Sequence, residues 1–185
     1  MNEKKDLRLL YLKHRDSLSE ADLNEKSEII IGKLVSLDLY KQADTVLTYL
    51  DFRSEVRTTD FVKRVLSGQG KRVFVPKVKG EELEFGEIST LEELEIGYQG
   101  LREPIFINSA TVDFNNCLCV IPGAVFDKNR GRIGYGKGYY DRFLAKYPLT
   151  TKIALCFDCQ IAPYVPIDSN DVKPDLIITE SIIFN

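Results

Sequence analysis

The chain has 185 residues, with 25 basic against 28 acidic side chains, a formal net charge of −3, 44% hydrophobic residues and 29% charged ones. This ordinary globular composition excludes a disordered chain, a collagen-like repeat and a coiled-coil rod. No apolar run approaches the roughly 18 residues that a bilayer span needs, and no basic excess points to nucleic acid. MNEKKDLRLL turns charged before an apolar signal region can form, so the expectation is a cytoplasmic protein, a single domain over 1–185.

In chain order, Leu7, Leu10, Tyr11, His14 and Leu18 fall at helical spacing, which places His14 as a packed helix residue. Ser19 caps a second helix whose early turns carry Glu20, Asp22 and Glu25. From Thr45 the pattern changes to short apolar strands. TVLTYL (45–50) is a strand, Thr58–Leu66 a helix ending near Gly68, and KRVFVPKV and LEFGEI (83–88) two further strands. Ser89–Asn116 reads mostly as connection, and CLCVIPG (117–123) as a buried strand ended by a Pro-Gly turn. A glycine-rich loop and a helix from Tyr139 to about Tyr147 follow, then strands KIALCF (152–157) and DLIITE (175–180). Helices alternating with unbroken apolar strands predict an α/β fold, a three-layer α-β-α domain with a mostly parallel central sheet. The cysteine pairs Cys117/Cys119 and Cys156/Cys159 have zinc-like spacing, but their strand context favours small buried thiols.

One segment concentrates the chemistry. FDKNRGRIGYGKGYYDRFL (126–144) interleaves Gly131, Gly134, Gly136 and Gly138 with Arg130, Arg132, Lys137 and Arg142. Glycines let backbone amides converge on an anion, and the following helix aims its N-terminal amides at the same place. Gly131 to Lys137 fits G-x-x-x-x-G-K, but Gly138 stands where a P-loop needs Ser or Thr, so this is a phosphate cradle of another kind. A solvated surface turn is the alternative.

RIGYGKGYYDRFL, preceded by VIPGAVFD, closely resembles the signature of the 5-formyltetrahydrofolate cyclo-ligases. KKDLR (4–8), YLDFRSEVRT (49–58), LREP (101–104) and DVKPDLIITE (171–180) resemble further family segments, in order along nearly the whole chain. The resemblance implies ATP-dependent closure of 5-formyltetrahydrofolate to 5,10-methenyltetrahydrofolate, with ATP as co-substrate and Mg²⁺ as metal. With the charge and composition above, the expected partners are these small molecules, not nucleic acid or membrane, and the expected state is a monomer. It implies that Lys4, Arg8, Arg132, Ile133, Gly134, Tyr135, Gly136, Lys137, Gly138, Tyr139 and Tyr140 bind ATP. Arg8, Leu50, Glu55 and Tyr139 would bind the folate, Asp141 and Asp175 the metal, and Lys137 and Arg132 would steady the transferring phosphoryl group.

The residues themselves leave some of this open. Lys4 and Arg8 share one helical face, which a solvated basic stripe would also explain. Glu55 and Asp141 also suit helix N-termini, and Asp175 a turn after Pro174. Where many relatives carry a histidine before Asp171, this chain has Asn170. A sugar-phosphate isomerase or CoA-transferase-like enzyme and a non-catalytic nucleotide or folate binder are the rival readings.

Overall fold

The computed structural model describes residues 3–68, 70–108 and 112–185. Residues 109–111, inside the expected connection, and residues 1–2 lie outside these. Helices run over Glu3–Asp16 (α1), Glu20–Ser36 (α2), Asp38–Gln42 (α3), Thr59–Ser67 (α4) and Tyr139–Lys146 (α5). The strands are Thr45–Thr48 (β1), Arg72–Lys79 (β2), Glu82–Ile88 (β3), Leu94–Ile96 (β4), Arg102–Pro104 (β5), Leu118–Ile121 (β6) and Val125–Asp127 (β7). They continue with Arg132–Ile133 (β8), Thr151–Leu155 (β9), Ile161–Ala162 (β10), Leu176–Ile178 (β11) and Ile183–Phe184 (β12).

Seven strands form the central sheet in the order β12-β11-β9-β6-β1-β2-β3. The five inner strands are parallel, and the two edges, β3 and β12, are antiparallel. Alternate residues of each inner strand feed opposite cores. Val46, Leu118, Val120, Ile153 and Ile178 pack under α2 and α4, with Leu34, Phe61 and Val62 fully buried. Leu47, Cys119, Ile121, Ala154 and Ile177 face α5 through Phe143 and Leu144. Burial on both faces is why these strands lack polar alternation. The three-layer α/β expectation therefore holds. Ser19 caps α2 as expected, accepting from the Asp22 amide at 3.1 Å in a reciprocal capping box.

The first helix turns slightly away from its expected stripe. Leu10 is 49% exposed and His14 is exposed, its ring edge-to-face with Tyr11 at 5.3 Å. The inward face is Lys4, Leu7, Arg8, Tyr11, Leu12 and Arg15, with the apolar members packed on the small sheet β10-β7-β8. An inward stripe that carries three cations was hidden by counting apolar residues alone. Cys117, Cys119 and Cys156 are buried and Cys159 half-buried, all four as free thiols. Burial pushes the Cys119 and Cys156 thiols far up, and Cys159 to about 11. No described helix is long and apolar enough to cross a membrane.

Candidate active site

β1 leads outward to β2 on one side and lies beside β6 on the other, so the chain changes direction across the sheet at the β1/β6 boundary. Open α/β sheets form a crevice beyond the strand ends at such a point. Here a cavity of about 540 Å³ opens there, lined by Tyr49 and Leu50 after β1 and by Pro122 after β6. The β2–β3 hairpin adds one wall through Pro76, Val78 and Leu83. Its seven-pair antiparallel ladder runs well past Phe74, the last β2 residue paired with β1, so the hairpin overhangs the sheet edge.

The glycine-rich segment makes the opposite wall. It is not a simple loop: β7 and β8 form a short hairpin, with Asp127 at its turn. The buried Asp127 carboxylate accepts from the Asn129 and Gly131 amides at 2.9 and 2.8 Å and from the Val165 amide at 2.8 Å. That one side chain fixes the turn and docks the later chain against it. The hairpin delivers Arg132 to the cavity, almost fully buried, with Nη1 on the Pro122 carbonyl at 3.2 Å and Nη2 on Asp141 Oδ1 at 2.6 Å. Its Nε is buried without a partner among the described residues, and so is the Tyr140 hydroxyl. An unpaired buried polar atom costs about 1–3 kcal/mol. Both residues line the cavity, so a polar ligand there would relieve the cost.

Beyond Arg132, Gly134 and Gly138 line the cavity with Lys137 between them. Gly136 (φ +92) and Gly138 (φ +67) hold left-handed backbone that a Cβ would strain. Gly136 also lies under the Arg8 guanidinium, where a Cβ would come within 3.3 Å. Arg8 donates from Nε to the Gly134 carbonyl at 2.7 Å, tying α1 to the loop. Lys137 is exposed and lines the cavity, its carbonyl held by Arg142 Nη1 at 2.9 Å. α5 starts at Tyr139 and opens its N-terminal amides toward the same wall.

Across the cavity, Glu55 is buried, and burial pushes its carboxyl above the usual range despite hydrogen bonds from Tyr135 and the Phe52 amide. The Tyr135 hydroxyl donates to Glu55 Oε1 and accepts from Arg15 Nη1 at 2.8 Å. Arg15, 4% exposed, also donates from Nε to Ser54 Oγ at 3.0 Å. Leu50, Phe52, Tyr98 and Tyr139 add apolar surface, Tyr98 and Tyr139 meeting edge to face at 6.2 Å. Glu103, on β5, is 4% exposed and accepts from the Val78 amide at 3.1 Å, closing the wall between β5 and the hairpin.

The family model for the 5-formyltetrahydrofolate cyclo-ligase family matches residues 1–180. The chain belongs to this family. A probable 5-formyltetrahydrofolate cyclo-ligase of Schizosaccharomyces pombe is 30% identical over 99% of this chain and 98% of the relative. The mouse 5-formyltetrahydrofolate cyclo-ligase is 26% identical over 96% of this chain and 93% of its own. The solved 5,10-methenyltetrahydrofolate synthetase of Aquifex aeolicus superposes with a TM-score of 0.85 at 31% identity, covering 97% of this chain and 91% of that one. That of Mycoplasma pneumoniae gives 0.74 at 28% identity, covering 97% and 99%. Membership makes the chain an ATP-dependent ligase of folate one-carbon chemistry, converting 5-formyltetrahydrofolate to 5,10-methenyltetrahydrofolate.

The structure gathers most of the cyclo-ligase residues expected from sequence. Arg132, Gly134, Tyr135, Lys137, Gly138, Tyr139, Tyr140 and Asp141 line the cavity with Leu50 and Glu55. Ile133 turns away into the hairpin's own apolar cluster. Lys4 sits outside the lining, clasping Asp168 at 2.7 Å and Asp171; partial burial opposes its charge, but the two carboxylates outweigh that and raise its pKa. Asp175 is the clearest departure. It opens β11 on the far side of β9, its carboxylate accepting from the Lys152 amide at 2.7 Å and pairing with the Lys152 ammonium at 3.1 Å. It is not part of the cavity wall with Asp141. Asn170 lies exposed in the turn before Asp171. Arg15 and Glu103 were missed, although Arg15 lies eleven residues after Lys4 and seven after Arg8, on their helical face.

Proposed function

We propose that this cavity is where the ligase joins its two substrates, with the triphosphate on the glycine wall and the pterin on the Glu55 wall. The unpartnered Nε of Arg132, buried at the base of the glycine wall, carries this reading: it awaits an acceptor that no described side chain supplies. A γ-phosphate oxygen there would also meet Lys137, the amides at Gly134–Gly138 and the start of α5. Glu55 would accept from pterin N–H groups, between the aromatic surfaces of Phe52 and Tyr139. Arg8 acts by fixing the Gly134 carbonyl, and Lys4 by clasping α1 to the 168–171 turn. Residues from Leu12 to Asp141 line this one cavity, which supports 1–185 working as a single domain.

In the reaction the formyl oxygen attacks the γ-phosphorus, ADP departs, and the formyl carbon is left bearing a phosphate leaving group. N10 attacks that carbon and loses its proton, the carbon–oxygen bond breaks, and inorganic phosphate leaves with the former formyl oxygen. The protein's part is positioning and charge neutralisation, which Arg132 and Lys137 supply without forming a bond to substrate.

Mg²⁺ fits one carboxylate here better than two. Asp141 faces the cavity and spends Oδ1 on Arg132 and on the Val172 amide at 3.1 Å, leaving Oδ2 for an ion. One carboxylate with phosphate oxygens and water is a normal Mg²⁺ shell, and the ion would neutralise phosphate charge. ADP release measured with and without 5-formyltetrahydrofolate tests the whole reading. Release should depend strongly on the folate, and equal hydrolysis in its absence would overturn it.

A further inference from the structure

Tyr135 sits at the centre of the glycine loop, yet its hydroxyl does not face the phosphate cradle. The residue is 44% exposed overall. Its hydroxyl is nevertheless held inside, taking a hydrogen bond from Arg15 Nη1 at 2.8 Å and giving one to Glu55 Oε1. Burial and the neighbouring Glu55 carboxylate push the phenol far up, so it stays a neutral O–H and keeps that directionality. Arg15 is locked in turn, Nε on Ser54 Oγ at 3.0 Å and its guanidinium 5.8 Å from the Tyr135 ring centroid. Ser54 then donates to Asp16, back on α1. The chain of contacts joins three segments: the helix whose Arg8 holds Gly134, the loop that cradles phosphate, and the 54–55 segment that meets the pterin.

We propose that the Arg15–Tyr135–Glu55 bridge is a positioning device that makes nucleotide and folate binding mutually reinforcing. The proposal rests on the placement of the two substrates given above. Ordering Gly134–Gly138 around a triphosphate fixes Tyr135 and thereby aims Glu55 at the pterin. Folate held by Glu55 fixes Tyr135 and so pre-orders the cradle. Whichever ligand binds first bears the ordering cost, and the second binds to an already ordered site. Such coupling must be equal in both directions. Direct phosphate–folate contact would also couple the ligands, but it would not run through the Tyr135–Glu55 hydrogen bond.

Calorimetry with the full chain separates these cases. The probes are the magnesium complex of β,γ-imido-ATP, which cannot transfer its phosphoryl group, and 5-formyltetrahydrofolate. In the wild type each ligand should tighten the other by the same factor, roughly tenfold. In Tyr135→Phe, which keeps the ring and removes the hydroxyl, the factor should fall below about twofold in both directions, with the melting temperature within a few degrees of wild type. Glu55→Gln combined with Tyr135→Phe should lower coupling no further than Tyr135→Phe alone, because both changes break one bridge. Both ligands binding with no coupling in the wild type, or an unchanged factor in Tyr135→Phe, would overturn the bridge while leaving the substrate placement standing. Failure of the wild type to bind either ligand would overturn both.

Discussion

Two of the cavity's walls are built on different principles. The glycine wall is made by local chemistry: a carboxylate that organises its own turn, glycines at φ +92 and +67, and a helix start immediately behind them. The β5 wall is made at long range. Glu103 reaches the Val78 amide, Lys77 reaches the Pro104 carbonyl at 2.9 Å, and Gly86 has no side chain because Pro104 packs where a Cβ would stand. A wall of the first kind takes its shape mainly from sequence neighbours, whereas one of the second kind is only as good as its distant partners. Function should therefore be lost with little loss of stability on the glycine side, and stability lost along with function on the β5 side.

The largest expected effect is at Lys137. Lys137→Ala removes a charge beside the transferring phosphoryl group and should lower turnover by about 10²-fold or more, with an unchanged melting curve. Steady-state kinetics and thermal denaturation on one sample would check both halves, and wild-type turnover would remove Lys137 from the chemistry. Glu103→Ala sharpens the contrast from the other wall. It strips the acceptor from the Val78 amide and should cost about 1–3 kcal/mol of folding stability, read by urea denaturation.

The contrast also decides what the sequence could reveal. The glycine wall was legible because glycine, basic and aromatic residues at close spacing have one economical physical use, and the parallel sheet because strands buried on both faces lack polar alternation. Ser89–Asn116 read mostly as connection, and LREP (101–104) within it stood out only by resemblance. β4 and β5 pair only through three residues each, and Glu103 gains its meaning from Val78, far away in sequence. Arg15 was hidden because a buried arginine breaks the apolar stripe used to phase α1. Asp175 could not be placed from sequence either: that its carboxylate ties β11 to β9 through Lys152 depends on a strand pairing 23 residues away.

Smaller effects follow. Burial raises the Glu55 carboxyl above the value it has in the unfolded chain, so the folded protein holds that proton more tightly. Its contribution to stability is full below the unfolded value and is lost as pH rises through the folded one. Wild type should thus lose stability relative to Glu55→Gln across that window, and parallel denaturation curves at each pH would show it; a constant difference would contradict the assignment. At the metal, Asp141→Asn should raise the magnesium concentration for half-maximal rate by roughly tenfold, in the range seen when metal-shell partners are lost. Asp175→Asn should leave it unchanged, the smallest effect of the set, and a matching shift in both variants would restore Asp175 to the ion.

The central claim is that the glycine wall and the Glu55 wall bring the formyl oxygen and the γ-phosphorus together in this cavity. The most direct test is a crystal structure with β,γ-imido-ATP, magnesium and 5-formyltetrahydrofolate bound together. The account predicts the γ-phosphate within hydrogen-bonding distance of Arg132 Nε and the Lys137 ammonium, the pterin on Glu55, and the formyl oxygen about 3–3.5 Å from phosphorus, in line with the leaving oxygen. Either ligand seated outside the cavity, or both inside with Arg132 Nε still unpaired, would contradict it.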